Sequence, residues 1–339
     1  MSVVDFTVAI PTYNGESRLP EVLDRLRTQV GVEHLDWEVI VVDNNSTDRT
    51  ATIVQDYQAN WPQACPLRYY LETQQGAAFA RQRAAEEAQG IFIGFLDDDN
   101  LPAPNWVAAA HAFGQDRPSV GAYGSQIHGA FEVEPPADFK RIAPFLAIIE
   151  RGPNPRRYEP EKKMLPPGAG LVVRKQAWLK SVPKSLVLNN KGKEAGLASE
   201  DLEALLHVQN AGWEIWYNPT MEVYHKIPPW RLEREYLIVL LRCVGLSRHR
   251  IRMLSIQPWQ RPLALPAYFA NDLRKLIFYF IKHRKTLKSD AIAASEFELL
   301  LSSLISPFYL WSKLLKSRFS FERLPAPVES SVATTQSSQ

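Results

Sequence analysis

The chain has 339 residues, 45% of them hydrophobic, which is enough for one large domain with an appendage or for two domains. Its 39 Lys and Arg residues nearly balance 37 Asp and Glu residues, so the net charge of +2 does not favour a nucleic-acid partner. Two cysteines make neither a disulfide framework nor a zinc site, and the sequence shows neither a signal peptide nor an uncharged run of about 20 apolar residues, so a cytoplasmic location is expected.

Four strand–helix units are predicted in the N-terminal part of the chain. Short apolar runs predict strands at 6–10, 37–42, 67–71 and 91–96, and helices are expected near 17–26, 46–57, 76–88 and 106–113. Ser46 or Thr47 is the predicted N-cap of the second helix, and Gly90 is predicted to close the third. Near-continuous apolar strands that alternate with helices favour a parallel sheet covered on both faces.

Polar side chains follow these strands at their C-terminal ends. Thr12 and Tyr13 follow the first strand, Asp43 and Asn45 follow the second, and residues 97–99 follow the fourth. Because open α/β sheets bind ligands beyond the carboxyl ends of their strands, these side chains should converge on one crevice. Neither a GxGxxG after the first strand nor a GxxxxGK[ST] occurs, which disfavours a dinucleotide oxidoreductase or a P-loop enzyme.

Three consecutive carboxylates, Asp97, Asp98 and Asp99, come directly after the fourth predicted strand. Adjacent carboxylates repel one another, so the cluster costs stability unless a cation neutralises it. Hard oxygen ligands suit Mg²⁺ or Mn²⁺, which commonly bridge to the phosphates of a substrate. A solvated acidic turn is the simpler alternative. The buried strand in front and the polar strand ends upstream favour the cation site.

The stretch after residue 120 is less regular. A strand is expected at 120–125, and the Pro-rich and charged residues 132–167 predict a long excursion from the fold. Gly168 and Gly170 precede a strand that ends near residue 174. These glycines either let the backbone approach a ligand closely or permit a tight turn, and the sequence leaves both open.

Glu200 and Asp201 begin a predicted helix that ends near residue 210. Acidic residues are common in a first helical turn, where they meet the helix dipole, so they need no catalytic role to be there. Strands are expected at 213–217 and 221–224, and the second leads to His225. An ordinary packed or surface histidine is the alternative to a ligand at that position.

With these residues assembled, the chain resembles a family 2 glycosyltransferase with the GT-A fold. Five matching stretches lie within residues 5–226, each modest alone but specific in their order and spacing; they are 11–14, 42–48, 76–81, 95–100, and 199–201 with 212–213. The resemblance implies an α/β, Rossmann-like, mixed and mainly parallel sheet with helices on both faces. Within the family, the chain is similar to bacterial exopolysaccharide transferases, particularly those of cyanobacterial hormogonium polysaccharide.

The resemblance implies that a nucleotide-diphospho-sugar donor binds across the strand ends. Tyr13 and Asp43 would hold the nucleobase, and Asp98 or Asp97 would hold the ribose. The family usually carries DxD, and the triple Asp leaves the roles of Asp97 and Asp98 open. Donor contacts are implied for Pro11, Thr12, Tyr13, Asn14, Asp43, Asn45, Gly76, Arg81, Asp97 and Asp98.

The resemblance also implies the metal ligands and the catalytic base. Asp99 would coordinate Mg²⁺ or Mn²⁺ on the diphosphate, with Asp97 and His225 as further ligands. Asp201 matches the family's catalytic base, with Glu200 beside it. An inverting transfer needs a carboxylate that takes the proton of the acceptor hydroxyl, and charge stabilisation on the departing diphosphate. A carboxylate at a helix N-terminus stays ionised, which is the form a base requires.

The expected function is therefore inverting, metal-dependent sugar transfer to a glycan or lipid-linked acceptor in surface polysaccharide synthesis. The Q-x-x-R-W signature of processive synthases is absent, so one sugar should be added per encounter. A nucleotidyltransferase of related architecture is one alternative, which lacks a glycine-rich, basic activating loop near the N-terminus. The other is a non-catalytic GT-A relative that binds a nucleotide-sugar or scaffolds a membrane polysaccharide assembly.

Three regions are expected: a catalytic domain at 1–228, a helical, basic and aromatic region at 229–322, and a Ser/Thr/Gln-rich disordered tail at 323–339. Helices are predicted near 232–245, 273–282 and 299–315. Basic amphipathic segments with tryptophan can lie in a membrane interface. Packing on the catalytic domain or a dimer contact is the alternative. Peripheral contact with the inner face of the plasma membrane is the favoured expectation.

Overall fold

The structure, a computed structural model, describes residues 4–160, 164–189 and 197–321, with side chains up to 312. Within these residues the strands are β1 Phe6–Thr12, β2 Trp37–Asp43, β3 Leu67–Leu71, β4 Phe92–Phe95, β5 Asn100–Pro102, β6 Val120–Phe131, β7 Arg156–Arg157, β8 Leu171–Arg174 and β9 Glu214–Ile227. The helices are α1 Leu19–Arg27, α2 Thr50–Ala59, α3 Ala77–Glu87, α4 Trp106–Gln115, α5 Lys175–Ser181, α6 Glu200–Asn210, α7 Arg234–Leu254, α8 Arg261–His283 and α9 Ala291–Phe321. The predicted tail at 323–339 lies outside the described residues.

The described strands form one mixed sheet in the order β3-β2-β1-β4-β8-β6-β9-β5, with β7 paired to β9. The first four strands in this order are parallel, as the strand–helix alternation predicts. Beyond β4 the pairing changes, because β8 runs antiparallel to both β4 and β6, while β6 and β9 are parallel. The mixed α/β sheet is therefore confirmed, and its parallel part lies mainly on the N-terminal side.

Side chains of the parallel strands alternate between the two faces of the sheet, as a period of two requires. Val39 and Val41 belong to a core with α1, α2 and α4, whereas Ile40 and Val42 belong to a core with α3, α5 and α6. Both faces are thus covered by helices. This double cover holds the carboxyl ends of β1 and β4 in a fixed position relative to each other.

Two predicted helix ends are wrong, for tertiary reasons. Neither Ser46 nor Thr47 caps α2, which begins at Thr50; both bind Asn14 instead, through Asn14 N to Ser46 Oγ at 2.9 Å and Thr47 N to Asn14 Oδ1 at 2.8 Å. Gly90 does not close α3, whose C-cap is Ala88. A Cβ on Gly90 would lie 2.5 Å from a backbone nitrogen of β1, so the glycine provides room for that strand.

The two strands predicted at 213–217 and 221–224 are one strand, β9, of 14 residues. It runs beside β6 and absorbs a register shift opposite Ser125 and Gln126, so an irregularity within one strand replaces the break expected between two strands. Its last part pairs antiparallel with β5, and Asn100 lies opposite His225. This pairing brings His225 beside the acidic triplet.

The C-terminal helices pack on the α/β body and on each other. Leu237 and Leu241 of α7 are buried with Ile292 and Leu299 of α9, in a cluster that includes side chains preceding and following β9. Gly245 permits this approach, because a Cβ there would lie 1.9 Å from Ser302 Oγ and 2.8 Å from a backbone oxygen of α9. Packing on the catalytic domain, the alternative to membrane contact, is therefore observed for α7 and α9, and the boundary at 228 stays a prediction.

Helix α8 has a different environment from α7 and α9. Among its described residues the buried one is Asp272, which receives two hydrogen bonds from Arg252 of α7. Much of its remaining surface faces outward. Within the described residues, the stretch Ala291–Ser312 of α9 is long and apolar enough to cross a membrane, and half of its most apolar window is buried in the protein.

Candidate active site

A cavity of about 640 Å³ opens at the carboxyl ends of β1 and β4. The acidic triplet lies on its wall, in the turn between β4 and β5. The structure brings most of the predicted site residues to this one cavity, as the strand-end argument expects. The predicted site residues that line this cavity are Pro11, Thr12, Tyr13, Gly76, Arg81, Asp97, Asp98, Asp99, Glu200, Asp201 and His225.

Asp98 is held by two residues of the first strand–helix unit. Thr12 Oγ1 donates to Asp98 Oδ2 at 2.6 Å, and Arg18 donates to both carboxylate oxygens at 2.7 and 2.9 Å. This hydrogen bonding raises the pKa of Arg18, so the guanidinium stays charged. Sequence reasoning missed Arg18, although a basic residue one turn after the polar loop was available as a signal. The carboxylate of Asp98 therefore has a fixed orientation in the cavity.

Arg81, which is buried, joins the first carboxylate to the start of α6. Its Nη2 donates to Asp97 Oδ1 at 2.9 Å and its Nη1 donates to Glu200 Oε1 at 2.6 Å. Burial raises the pKa of Glu200, and the nearby Asp201 adds to this while Arg81 opposes it. Burial and the charges of the other two triplet carboxylates likewise raise the pKa of Asp97, against the effect of Arg81. Arg81 therefore compensates carboxylates from two distant parts of the chain.

Asp201 is held by backbone groups and still lines the cavity. Its Oδ2 accepts a hydrogen bond from Gly168 N at 2.5 Å, and its Oδ1 accepts one from Leu202 N at 2.8 Å. The two neighbours at the start of α6 thus differ, because Glu200 is buried in an ion pair with Arg81 whereas Asp201 is only partly buried. This geometry favours Asp201 as the carboxylate that can meet a substrate.

The glycine-rich segment before β8 serves both purposes that the sequence left open. A Cβ on Gly168 would lie 2.9 Å from Arg81 Nη2 and 3.2 Å from Asp201 Cβ, so the backbone approaches these two side chains closely. Gly170 has φ of +61°, a left-handed conformation that a tight turn requires and that favours glycine. The segment therefore positions Asp201 and Arg81 at the cavity.

Asp99 and His225 meet at the β5–β9 pairing. His225 Nδ1 must donate to Leu146 O at 2.8 Å, because a carbonyl oxygen only accepts, so Nε2 can carry its lone pair. Arg231 Nη1 lies 2.7 Å from this Nε2, and its Nη2 lies 2.7 Å from Asp99 Oδ2. His225 Nε2 and Asp99 Oδ2 are 3.6 Å apart. The guanidinium of Arg231 therefore bridges the two predicted metal ligands.

The pKa of Asp99 falls below its usual range. Burial of the carboxyl acts in the opposite direction, but the neighbouring imidazole of His225 and the positive charges of Arg231 and Arg18 outweigh it. The group is therefore a carboxylate wherever the protein is folded at ordinary pH. Sequence reasoning missed Arg231, which lies in a short 3₁₀ turn between β9 and α7.

The two side-chain donors at Asp99 and His225 are compatible with a divalent cation whose remaining coordination positions are filled by substrate and water. A carboxylate oxygen and an imidazole nitrogen face one position, and the carbonyl of Leu146 orients the imidazole. Asp97 directs an oxygen to Arg81 instead, and no group of three or more His, Cys, Asp or Glu side chains among the described residues could hold a metal ion. Water and phosphate oxygens would have to supply the remaining ligands, as is common for Mg²⁺.

Three predicted donor contacts do not line the cavity. Both oxygens of Asp43 are used inside the protein, by Tyr69 Oη at 2.8 Å and Ser46 N at 2.8 Å. Asn14 joins the loop after β1 to the loop after β2, and Asn45 is exposed with φ of +62°. Asn44, which was not predicted, lies on the cavity wall and accepts from Gly76 N at 2.7 Å. Of these four residues, Asn44 therefore lines the cavity, whereas Asn14, Asp43 and Asn45 do not.

Comparisons with known proteins indicate the family of the chain. The family model described as Glycosyl transferase family 2 matches residues 7–175. The chain is 37% identical over 94 residues to the putative teichuronic acid biosynthesis glycosyltransferase TuaG of Bacillus subtilis, covering 28% of this chain and 35% of that protein. It is 33% identical over 129 residues to a PGL/p-HBAD biosynthesis glycosyltransferase of Mycobacterium tuberculosis, covering 38% of this chain and 48% of that protein. The chain thus spans between about a third and a half of the length of these relatives.

The fold also has a counterpart among solved structures. The mannosyltransferase PcManGT of Pyrobaculum calidifontis, solved with GDP-Man and Mn²⁺, matches with a TM-score of 0.57 at 20% identity, covering 91% of this chain and 87% of that one. The likeness confirms the expected GT-A fold. The expected similarity to cyanobacterial hormogonium polysaccharide transferases stays a prediction.

Proposed function

Since this chain belongs to glycosyltransferase family 2, we propose that it transfers one sugar per encounter from a nucleotide-diphospho-sugar to an acceptor hydroxyl, with inversion at the anomeric carbon. The product would be part of a cell-surface polysaccharide. One observation carries the proposal: Asp201 faces the same cavity as the acidic triplet Asp97–Asp99, so a base and a donor site share one space. A nucleotide-binding scaffold would not need a carboxylate exposed at that position.

The donor would lie along the carboxyl ends of β1 and β4. Asp98, fixed by Thr12 and Arg18, is suited to accept hydrogen bonds from ribose hydroxyls, because both of its oxygens are already oriented. Tyr13 lines the same end with an exposed ring on which a nucleobase can stack. Asp97 and Arg81 would border the sugar.

Asp201 would act as the base. As the acceptor oxygen attacks the anomeric carbon, the bond from that carbon to the diphosphate oxygen breaks and its electron pair leaves with the nucleoside diphosphate. The hydroxyl proton passes to Asp201. A single displacement of this kind inverts the configuration at the anomeric carbon. The hydrogen bonds from Gly168 N and Leu202 N hold the orientation of Asp201.

Asp99 and His225 would hold Mg²⁺ or Mn²⁺. When bound, such a cation stabilises the negative charge on the departing diphosphate. Arg231 would have to withdraw from Asp99 and His225 for this to happen, because its guanidinium spans the same two atoms. The short turn that carries Arg231 joins β9 to α7, so this movement would occur at the boundary of the helical region.

Helix α8 would place the enzyme on the cytoplasmic face of the membrane. Its apolar side chains are exposed, with Leu263 at 75%, Phe278 at 63% and Ile281 at 59% of their full surface. Basic residues are interspersed and follow at its C-terminal end, which matches an anionic lipid surface. These basic residues are Arg274, Lys275, Lys282, Arg284 and Lys285.

Calorimetry with UDP-, GDP- and dTDP-sugars, each with Mn²⁺ and with EDTA, tests the donor site. Binding of one nucleotide class that weakens in EDTA supports the proposal. A second experiment uses the variant Asp201→Asn. It should bind the nucleotide-sugar as the wild-type protein does but should no longer release nucleoside diphosphate when an acceptor extract is added. A folded protein that binds no nucleotide-sugar would overturn the proposed function.

A further inference from the structure

The turn between β3 and α3 forms part of the cavity wall, and two asparagines hold it. Residues 75–77 of this turn line the cavity. Asn44 Oδ1 accepts a hydrogen bond from Gly76 N at 2.7 Å. Asn189 Oδ1 accepts one from Ala78 N at 3.1 Å, although the two residues are 111 positions apart. The position of this part of the wall therefore depends on a distant segment of the chain.

Asn189 lies directly against the turn. A Cβ on Gly76 would be 2.2 Å from both Oδ1 and Nδ2 of Asn189, so the side-chain amide occupies the space that a larger residue would need. Nδ2 also donates a longer hydrogen bond to Gln75 O at 3.5 Å. A displacement of the Asn189 amide would therefore displace residues 75–77 as well.

The segment that carries Asn189 is itself held by a buried carboxylate. Glu203 of α6 is fully buried, and its Oε2 accepts a hydrogen bond from Leu188 N at 2.7 Å. Its Oε1 accepts one from Val187 N at 3.3 Å and forms an ion pair with Arg250 of α7 at 2.8 Å. These partners compensate a charge that burial alone would make unfavourable. Glu203 thus fixes the backbone immediately before Asn189.

Helix α6 connects this support to the proposed base. Asp201 lies in its first turn, and Glu203 follows two positions later. The helix that presents Asp201 to the cavity therefore also anchors the segment that holds residues 75–77. Neither Asn189 nor Glu203 is among the described residues that line the cavity. Any effect of these two residues on a bound donor must therefore pass through the residues that they hold.

We propose that Asn189 is a positioning residue for the nucleotide-sugar, and that Glu203 keeps Asn189 in place. The inference rests on the proposed transfer function and deepens it, because it assigns two residues outside the cavity to donor binding. Asn189 keeps residues 75–77 where the donor meets them, without touching the donor. Loss of its Oδ1 weakens donor binding and leaves the step at Asp201 unchanged once the donor is bound.

Two substitutions of Asn189 test the role of its oxygen. Asn189→Ala removes the acceptor of Ala78 N and should weaken nucleotide-sugar binding about tenfold, because a backbone N–H at the start of α3 loses its partner. Asn189→Asp keeps an accepting oxygen and should bind within about twofold of the wild-type protein. Titration calorimetry with Mn²⁺ and the UDP-, GDP- or dTDP-sugar that the wild-type protein binds gives these affinities. At saturating donor, kcat for nucleoside diphosphate release should stay at the wild-type value, so the loss in Asn189→Ala appears in KM.

Glu203→Gln tests the support behind Asn189. The amide places an N–H group against Leu188 N or against Arg250, so donor binding should weaken as it does in Asn189→Ala. Asp272→Asn is the matched control, because it disrupts a buried ion pair between α7 and α8 and should lower the unfolding midpoint without changing the donor Kd. Ser185→Ala, an exposed change in the segment before Asn189, should change neither quantity.

The pattern of donor affinities separates the two proposals. Weaker binding in Asn189→Ala, together with near wild-type binding in Asn189→Asp, Ser185→Ala and Asp272→Asn, supports the positioning role. Equal donor affinity in Asn189→Ala and the wild-type protein, or equal loss in Asn189→Ala and Asn189→Asp, would overturn the inference and leave the transfer function standing. A folded wild-type protein that binds no nucleotide-sugar would overturn both. If Glu203→Gln does not fold, the comparison of the two Asn189 variants decides the inference.

Discussion

Arg231 forms an ion pair with Asp99, the last carboxylate of the acidic triplet, with Nη2 lying 2.7 Å from Oδ2. The same guanidinium lies 2.7 Å from Nε2 of His225. The side chain thus supplies a positive charge where a divalent cation would be expected to bind. A divalent cation and this guanidinium cannot both contact Asp99 Oδ2 and His225 Nε2 at the same time, because like charges at this distance repel strongly.

Replacement of Arg231 by glutamine should therefore tighten Mn²⁺ binding in the absence of nucleotide. We expect a gain of about tenfold, since a competing charge that shifts an equilibrium by about 1.4 kcal/mol changes it by that factor. The fraction of free Mn²⁺ measured by electron paramagnetic resonance gives the affinity directly. Arg242→Gln, which loses a pair with Glu298 on the outer face of α7, is the control.

Unchanged or weaker Mn²⁺ binding in Arg231→Gln would show that the guanidinium does not compete with the cation. A distinct result is also informative. If the wild-type protein binds nucleotide-sugar equally well in EDTA and Arg231→Gln does not, then Arg231 itself serves as the positive charge opposite the diphosphate.

Replacing Asp201 and Glu200 by their amides should affect two different properties of the protein, turnover and stability. Asp201→Asn should lower kcat by about 10²–10⁴-fold, the usual contribution of a positioned base, with the donor Kd nearly unchanged. Glu200→Gln should instead lower the unfolding midpoint, because Arg81 is buried and would lose one of its two charged partners. Stopped assays of nucleoside diphosphate release and thermal unfolding separate the effects. Full turnover in Asp201→Asn would remove this residue from the role of base.

Arg18 should control donor affinity through Asp98. Arg18→Gln removes a hydrogen bond from each Asp98 oxygen, and we expect nucleotide-sugar binding to weaken about tenfold because charged hydrogen bonds contribute about 1.5–3 kcal/mol. Thr12→Val should have a smaller effect in the same direction. The control is Arg25→Gln on the exposed face of α1, the helix that follows Arg18. Similar donor affinities for Arg18→Gln and Arg25→Gln would exclude a positioning role for Arg18.

Helix α8 should bind anionic vesicles through aromatic and basic groups together. Phe278→Ser and the double change Lys282→Glu with Lys285→Glu should each reduce co-sedimentation with vesicles that contain phosphatidylglycerol. Higher salt should weaken binding further, because charges at a surface are screened. Leu179→Ser and Lys180→Glu on α5 are matched exposed controls. Equal binding by all of these proteins would argue against α8 as the membrane surface.

Gly245 should be essential for the contact between α7 and α9. Gly245→Ala places a methyl group 1.9 Å from Ser302 Oγ and 2.8 Å from the Leu299 carbonyl oxygen, so one helix must shift. Overpacking of this kind costs about 1–3 kcal/mol of unfolding free energy. Thermal unfolding measures the loss, and Val239→Ala on the exposed face of α7 should have little effect. A midpoint for Gly245→Ala equal to that of the wild-type protein would show that the helices can separate at no cost.

The order of the N-terminal elements was predictable from the sequence because each signal is local. The apolar runs of β1, β2 and β4 and the polar residues after them lie within a few positions of each other, so strand ends and the acidic triplet could be located without a structure. The helix N-cap expected at Ser46 or Thr47 failed for the opposite reason. A partner more than 30 residues away, Asn14, binds both residues.

The sequence by itself determined the family, the parallel strands at the start of the chain, and the grouping of carboxylates at strand ends. Only the tertiary structure decided which charged side chains form ion pairs with one another. The pairing of Asn100 with His225 joins residues 125 positions apart, and Arg231, which follows the same strand, forms an ion pair with Asp99. Tyr236, Leu240 and Val244 pack against the core cluster between α7 and α9 and also line the cavity, which periodicity alone could not show. A helical repeat shows that a face is apolar, and only the packing of its neighbours determines whether protein or ligand covers it.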